Sequence, residues 1–433
     1  MRIESTIRSI AGLSVEKIIT VFSMEENKQM TVNVIGMGYI GLPTAMMFAS
    51  QGIPVVGTDC DAKKIRSLRD GRLLIDEDGM KELYQAAVSN GISFSETFQS
   101  ADIYIIAVPT PYNKETKKID PSMVISAFRS VLNVCPDEAV LVLESTVSPG
   151  TIDRYVRPLI AEHSEKKVHL AHAPERIIPG NMVHELWNNA RTIGADEPDI
   201  GERIKELYQT ICHSEITVTD IRTAEMTKVI ENTYRDINIA FANEVLQICN
   251  AAGMDAYEII RIANKHPRVN ILSPGPGVGG HCISVDPWFL VGDFPMYAKL
   301  IKQARLINDA MPEYVLRRMR EIMKKEGLTD LSRIGLYGLT YKENVDDTRE
   351  SPTLQLLESM ENHLASGLKV YDPFVKEKIT ENQYFDLQSF LNDVDMVVIM
   401  VGHDEIKQNF DRLKGKIVLD TRHISPIDST YYL

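Results

Sequence analysis

Cys282 lies in the loop Pro274-Gly275-Pro276-Gly277-Val278-Gly279-Gly280-His281-Cys282. A free cysteine is commonly a small buried hydrophobe. A loop built from glycine and proline gives a thiol little helix or strand to pack in, and a substrate can approach it closely, so Cys282 is a candidate nucleophile. Far upstream, Gly36-Met37-Gly38-Tyr39-Ile40-Gly41 has the spacing GxGxxG. There the first glycine permits a tight turn, the second lets the backbone approach a pyrophosphate, and the third allows close packing of helix on strand. A nicotinamide cofactor takes an alcohol to an aldehyde without help from a thiol. A thiolate that captures the aldehyde as a thiohemiacetal lets a second hydride leave, which carries the oxidation to the acid. Together the two features point to NAD-dependent oxidation past the aldehyde.

Two further pairs bear on that chemistry. Lys228 and Asn232 are four apart on a predicted helix and so share a face. A cation and an amide donor there can stabilise an alkoxide or a tetrahedral oxyanion, although the same pair also suits a solvated helix face. Asp59 stands about 20 residues beyond the fingerprint, at the end of the next predicted strand. A carboxylate at that place accepts from a ribose 2′-hydroxyl and repels a 2′-phosphate, which favours NAD over NADP. Lys64 is close enough in sequence to touch the same cofactor.

The elements that must hold these residues are legible in outline. Val32 to Ile35 is an apolar strand entering the glycine turn, and Leu42 to Gln51 is a helix leaving it. Pro54 to Asp59, Ile103 to Val108, Val140 to Leu143 and Val168 to Ala171 are further apolar runs. Such runs, separated by helical stretches, predict parallel strands buried on both faces. From Thr223 to Ala252 the pattern changes to one long helix, with Met226, Val229, Ile230, Thr233 and Ile237 at helical spacing. The thiol loop follows, then a helical stretch from Ala298 to about Glu326. A second alternating region, from Ile334 through Leu368–Pro373 and Met396–Val401 to Ile417–Asp420, predicts a second, smaller α/β domain. The fold class expected is α/β, with two Rossmann-like domains joined by a central helical domain.

The bulk numbers narrow the partners. The 433 residues suit two or three domains, and the net charge of −13 argues against nucleic-acid or polybasic membrane binding. No apolar run is long enough to span a membrane. The five cysteines are scattered without a CxxC pair, so neither a disulfide framework nor a metal site is expected, and a reducing cytoplasm fits. Residues 1–30 are expected to be an amphipathic extension or an over-extended reading frame, with Met30 as a candidate start.

More blocks stand in order along the chain. They are Val108-Pro109-Thr110-Pro111, Glu144-Ser145-Thr146-Val147, Ala173-Pro174-Glu175-Arg176, RTAEMTK ending at Lys228, NTYRDINIAFANE, HPRVNILSPGPGVGGHC, Gly338-Leu339-Thr340-Tyr341-Lys342 and DDTRESP. With these blocks the chain, from about Thr31 to near its end, resembles the nucleotide-sugar 6-dehydrogenases, the family of UDP-glucose and GDP-mannose dehydrogenases. The resemblance implies an NAD-binding domain over 31–215, a central catalytic and dimerisation domain over 216–325, and a UDP-sugar-binding domain over 326–433. It implies a homodimer or higher oligomer built through the long helix.

It also implies roles. Tyr39, Ile40, Asp59, Lys64, Thr110 and Thr146 would line NAD, with Arg349 reaching it from the C-terminal domain. Arg176, Ile177, Lys228, Asn232, Arg235, Gly279, Tyr341 and Lys342 would line the UDP-sugar, with Arg422 as a late basic contact. His266 and Arg268 would enter from a neighbouring subunit. Cys282 would be the nucleophile, with Lys228, Asn232 and Asp286 beside it and Lys228 lowering its pKa. Glu175 would be the general base of thioester hydrolysis, through Thr146 or a water. Val285 stands where UDP-glucose enzymes typically carry Lys, and Pro179 where they often carry a second Glu. With Val278, Ser284 and Trp288, these departures favour an N-acetylated manno sugar, with UDP-N-acetylglucosamine and UDP-glucose as alternatives. A nucleotide-sugar binder without turnover is the reading from another class. His281 is taken as a loop packer, and Asp346-Asp347 as a solvated turn or a partner for Arg349.

Overall fold

The computed structural model describes residues 30–433 except 74, 76, 179, 363–366 and 428–429. The expectations for the N-terminal extension and for Pro179 lie outside the described residues. The first sheet contains β1 (Val32–Ile35), β2 (Val55–Thr58), β3 (Ser93–Ser95), β4 (Ile103–Ile106), β5 (Ala139–Leu143), β6 (Val168–His172), β7 (Arg191–Ala195) and β8 (Ile216–Thr219), in the order β3-β2-β1-β4-β5-β6-β7-β8. β1, β4 and β5 are wholly buried. Their alternate residues feed different layers: Val32, Val34, Ile103 and Ile105 pack on one face, and Ile35, Tyr104 and Ile106 on the other. That two-sided burial is why these strands are continuous apolar runs.

The parallel reading needs one correction, because β7 runs antiparallel to β6. β3, β7 and β8 carry weak sequence signals. β3 is Ser-Phe-Ser, and β7 holds Arg191 and Gly194. A Cβ at Gly194 would stand 2.7 Å from Ile221 Cα, so the start of the long helix lies directly on this strand.

The long helix spans Ile221–Ala252. The Asp220 side chain caps it by accepting from Thr223 N at 2.9 Å, and Gly253 ends it at φ 69°. The expected single helical stretch from Ala298 is instead two helices, Lys299–Asp309 and Met311–Glu326. Pro312 opens the second, where its missing N–H costs nothing, but it cannot continue the first. A buried polar network ties this region together. Arg305 donates to Asp236 Oδ1 at 2.6 Å, Asn308 donates to the same oxygen at 2.8 Å, and Asn243 donates to Asn308 at 2.8 Å. Asn243 also accepts from Gly275 N at 2.9 Å, which fixes the start of the thiol loop to the long helix.

The second sheet is the expected smaller α/β domain. β9 (Ile334–Tyr337), β10 (Lys369–Tyr371), β11 (Gln383–Tyr384), β12 (Met396–Ile399), β13 (Ile417–Asp420) and β14 (Tyr431–Tyr432) lie in the order β11-β10-β9-β12-β13-β14, all parallel. In each sheet the strand order reverses beside the first strand, between β1 and β4 and between β9 and β12. Open α/β sheets bind ligands outside the carboxyl ends of strands at such points.

Candidate active site

The first reversal point carries the glycine fingerprint. Gly36 leaves β1 at φ 96°, and any Cβ there would run into the Ala107 carbonyl beyond β4. A Cβ at Gly41 would strike the Gly36 carbonyl, so the helix Gly41–Ser50 begins hard against the turn. Gly38, by contrast, faces open space within 4 Å, which is the room a pyrophosphate needs. Asp59 Oδ2 accepts from Met37 N and from Lys64 Nζ, both at 2.8 Å, and Oδ1 accepts from Asp61 N at 2.9 Å. Burial alone would push this carboxyl up, but those hydrogen bonds hold it below the usual range. The turn therefore fits a dinucleotide with a free ribose hydroxyl. Thr110 is buried after β4, and its hydroxyl donates to the Thr146 carbonyl at 2.7 Å.

The second reversal point opens into a cavity of about 390 Å³, within the range of small-molecule sites. Its walls bring together Arg176, Ile177, Lys228, Asn232, Arg235, Gly279, Cys282, Tyr341, Lys342, Arg349 and Arg422 from all three parts of the chain. Cys282 is exposed toward this space, whereas Cys135, Cys212 and Cys249 are buried. Lys228 and Asn232 stand side by side on the long helix and are largely buried. Asn232 donates to Asp286 Oδ2 at 2.6 Å, and Asp286 opens the helix Asp286–Asp293, its N–H bonded to the Cys282 carbonyl at 2.9 Å. Burial pushes the Asp286 carboxyl up to about 6, against the pull of Lys228 and Asn232. The residue is open to the cavity, but its sulfur is enclosed by the surrounding walls, and that burial first and Asp286 second push the thiol up. Lys228 acts in the expected lowering direction, joined by Arg349, but burial and Asp286 outweigh them.

The turn after β9 is held by groups that sequence reasoning missed. Asp372 Oδ2 accepts from Leu339 N at 2.6 Å and Thr340 N at 3.0 Å, and pairs with the buried His403 at 3.1 Å. His403 Nδ1 in turn accepts from Asn344 N at 3.0 Å. This brace sets Tyr341 and Lys342 at the cavity. Thr340, Met400, Val401 and Gly402 also line it. Their position at the ends of β9 and β12 is the signal that would have found them.

Other expected residues are placed elsewhere. Glu175 is buried away from the cavity walls; it pairs with Arg191 and accepts from Arg176 N at 2.7 Å. Arg191 lies 3.7 Å from Glu144 as well, so one guanidinium serves two buried carboxylates. Arg176 reaches the cavity edge, but its guanidinium is engaged by Glu231. Val278 lines the cavity, whereas Val285 and Trp288 pack into the layer against the first sheet. Those two departures thus act through packing behind the thiol loop. His266 and Arg268 are exposed beyond the helix Ala256–Ala263 and do not join this cavity.

The structure thus holds a glycine turn that fits a dinucleotide and a cavity lined by the Cys282 thiol, and comparisons with known proteins show the family. The chain matches the NAD binding domain of the UDP-glucose/GDP-mannose dehydrogenase family over residues 30–212, its central domain over 222–310 and its UDP binding domain over 335–426. It is 41% identical over 403 residues to a UDP-N-acetyl-D-mannosamine dehydrogenase of Methanocaldococcus jannaschii, covering 90% of this chain and 92% of that one. It is 40% identical to an NDP-N-acetyl-D-galactosaminuronic acid dehydrogenase of Ralstonia nicotianae, covering 90% and 95%. The solved UDP-N-acetyl-mannosamine dehydrogenase of Staphylococcus aureus superposes with a TM-score of 0.83 at 39% identity, covering 93% of this chain and 98% of that one. Because all three domains match in order and the relatives align along nine-tenths of its length, the chain belongs to the UDP-glucose/GDP-mannose dehydrogenase family.

Proposed function

We propose that the protein oxidises the C6 alcohol of UDP-N-acetyl-D-mannosamine to the corresponding uronate, consuming two NAD and one water per sugar. The observation that carries this reading is the Cys282 thiol facing a cavity it shares with Lys228, Asn232 and the turn after β9. A two-electron dehydrogenase or a mere binder has no use for a thiol there.

Gly36, Gly38, Tyr39, Ile40, Gly41 and Asp59 would hold NAD, which when bound would supply the hydride acceptor. Lys228, or a water it holds, takes the proton of the alcohol. Cys282 Sγ attacks the resulting aldehyde carbon, forming a thiohemiacetal whose oxyanion faces Lys228 and Asn232. Loss of the second hydride leaves a thioester. Water cleaves it, returning the thiol and releasing the acid. Glu175 is the base assigned to that last step, and it must give up Arg191 or work through an intervening water or Thr146.

The manno substrate is favoured by the relatives of about 40% identity that bear that activity in their names. An N-acetylated galacto sugar is the second reading, on the strength of the Ralstonia relative. A panel of UDP-N-acetylmannosamine, UDP-N-acetylglucosamine, UDP-N-acetylgalactosamine and UDP-glucose separates them: the manno sugar is expected to give the highest kcat/KM, and a higher value for any other reassigns the substrate.

Assembly is part of this proposal. Ile230, Tyr234, Phe241 and Ile248 are exposed on the long helix at spacings of four and seven, which puts them on one face. A homodimer through this face would cover them, and the family resemblance assigns the exposed His266 and Arg268 to a neighbour's site. No helix among the described residues is long and apolar enough to cross a membrane. Five unpaired cysteines support a reducing cytoplasm.

A further inference from the structure

The segment Asp346–Glu350 touches the fingerprint turn, the thiol loop and the turn after β9. Asp347 is buried, and its carboxylate grips Arg349: Oδ1 accepts from the Arg349 backbone N at 3.0 Å and from Nε at 2.9 Å, and Oδ2 from Nη2 at 2.6 Å. The guanidinium so held lies over the ring of Tyr39, in the fingerprint turn, at 5.3 Å, and it also lines the cavity. The Tyr39 hydroxyl donates to Asp346 Oδ1 at 3.4 Å. The carbonyl of Arg349 accepts from Gly280 N at 2.9 Å, two residues before the thiol. The carbonyl of Asp347 accepts from Tyr341 N at 3.1 Å, on the wall of the sugar-nucleotide cavity. Glu350, at the end of the segment, and Asn344, two residues before it, hold φ of 48° and 58°, a left-handed backbone uncommon for a non-glycine residue such as Glu.

A long arginine side chain on a loop would otherwise sample many rotamers, and a two-point carboxylate contact removes that freedom. Arg349 belongs to the domain that binds UDP in this family, whereas Tyr39 belongs to the cofactor turn. A ligand that restrains Tyr341 also restrains the backbone that presents Asp347. We infer that Asp347 is a positioning residue: by fixing Arg349 against Tyr39, it makes NAD bind more tightly when the UDP site is filled. This rests on the assignment of the two nucleotide sites but not on the reaction or the sugar. It is therefore testable by binding alone, with NAD and UDP as the probes and no turnover.

The experiment is calorimetric titration of NAD into the full-length protein, with and without saturating UDP. The wild type is expected to bind NAD about 10-fold more tightly with UDP present, and by reciprocity UDP more tightly with NAD. Asp347→Asn is expected to shrink that ratio to less than about twofold while UDP alone binds nearly as before. Arg349→Lys keeps the charge but loses the planar fork, and it should lose the linkage too. It carries the test if Asp347→Asn does not fold. A wild type without linkage would overturn the inference. So would either folded variant that keeps the full ratio, or a variant that weakens each ligand separately and leaves the ratio unchanged, as a merely structural role would.

Discussion

The two reversal points are built on the same joint and use it differently. In the first sheet Gly36 follows β1, with φ 96° and its N–H on the Thr58 carbonyl; in the second Gly338 follows β9, with φ 101° and its N–H on the Tyr371 carbonyl. In each, an aspartate directly follows the neighbouring strand, Asp59 after β2 and Asp372 after β10. A carboxylate has about four lone-pair sites. Asp59 accepts from Met37 N, Asp61 N and Lys64, which leaves capacity for a ligand. Asp372 accepts from Leu339 N, Thr340 N, Phe374 N, Val375 N and His403, which uses all of it. The first aspartate can read a ribose. The second is an internal brace that shapes a turn, and that turn presents Tyr341 and Lys342 to the cavity.

This contrast can be broken in several places. It puts the chemistry at neither joint but on the loop between them. Cys282→Ser should therefore lower uronate formation by at least about 10³-fold while UDP and NAD bind as before, measured by product formation and calorimetry. Full turnover in that variant would remove the thiol from the mechanism. Next in size, Asp372→Asn removes the charged partner of a buried pair and should cost about 3 kcal/mol of stability in denaturant unfolding. A stability change of a few tenths would mean that Asp372 is no brace.

Asp286 tests the environment of the thiol. Its folded carboxyl is raised from 3.8 to about 6, so the native state holds its proton more tightly than the unfolded chain. The stability linked to that proton is fully present below the unfolded pKa and is lost as pH rises through about 6. Asp286→Asn should therefore gain about 2 kcal/mol more, relative to wild type, at pH 7.5 than at pH 4.5. An equal difference at both pH values would contradict the assignment. The smallest effect is expected at Asp59. Asp59→Asn should raise KM for NAD about 10-fold with kcat little changed, and should cost less stability than Asp372→Asn, whose carboxylate holds more partners.

These contrasts also mark what the amino-acid sequence could reveal. The fingerprint and Asp59 were legible because their spacing is local and each residue has one job. Lys228, Asn232 and Asp286 were legible as a group, the first two from helical spacing and the third only through the family resemblance. Asp372 and His403 were not, because an aspartate that ends a strand looks the same whether it meets a ribose or four backbone N–H groups. The pairing of Glu175 with Arg191 was hidden for a related reason. It forms across the short strand Arg191–Ala195, which carries a buried arginine and a glycine where an apolar run would have announced it. Val285 and Trp288 were informative as departures from a pattern, yet they pack into the apolar layer behind the thiol loop and do not line the cavity.

The central claim is that Cys282 carries the oxidation through both stages at one site. Counting NADH formed per UDP-N-acetylmannosamine consumed to completion tests it most directly. Two NADH per sugar, with the uronate as product and no free aldehyde trapped by hydroxylamine, is the predicted result. One NADH per sugar with a released aldehyde would contradict it.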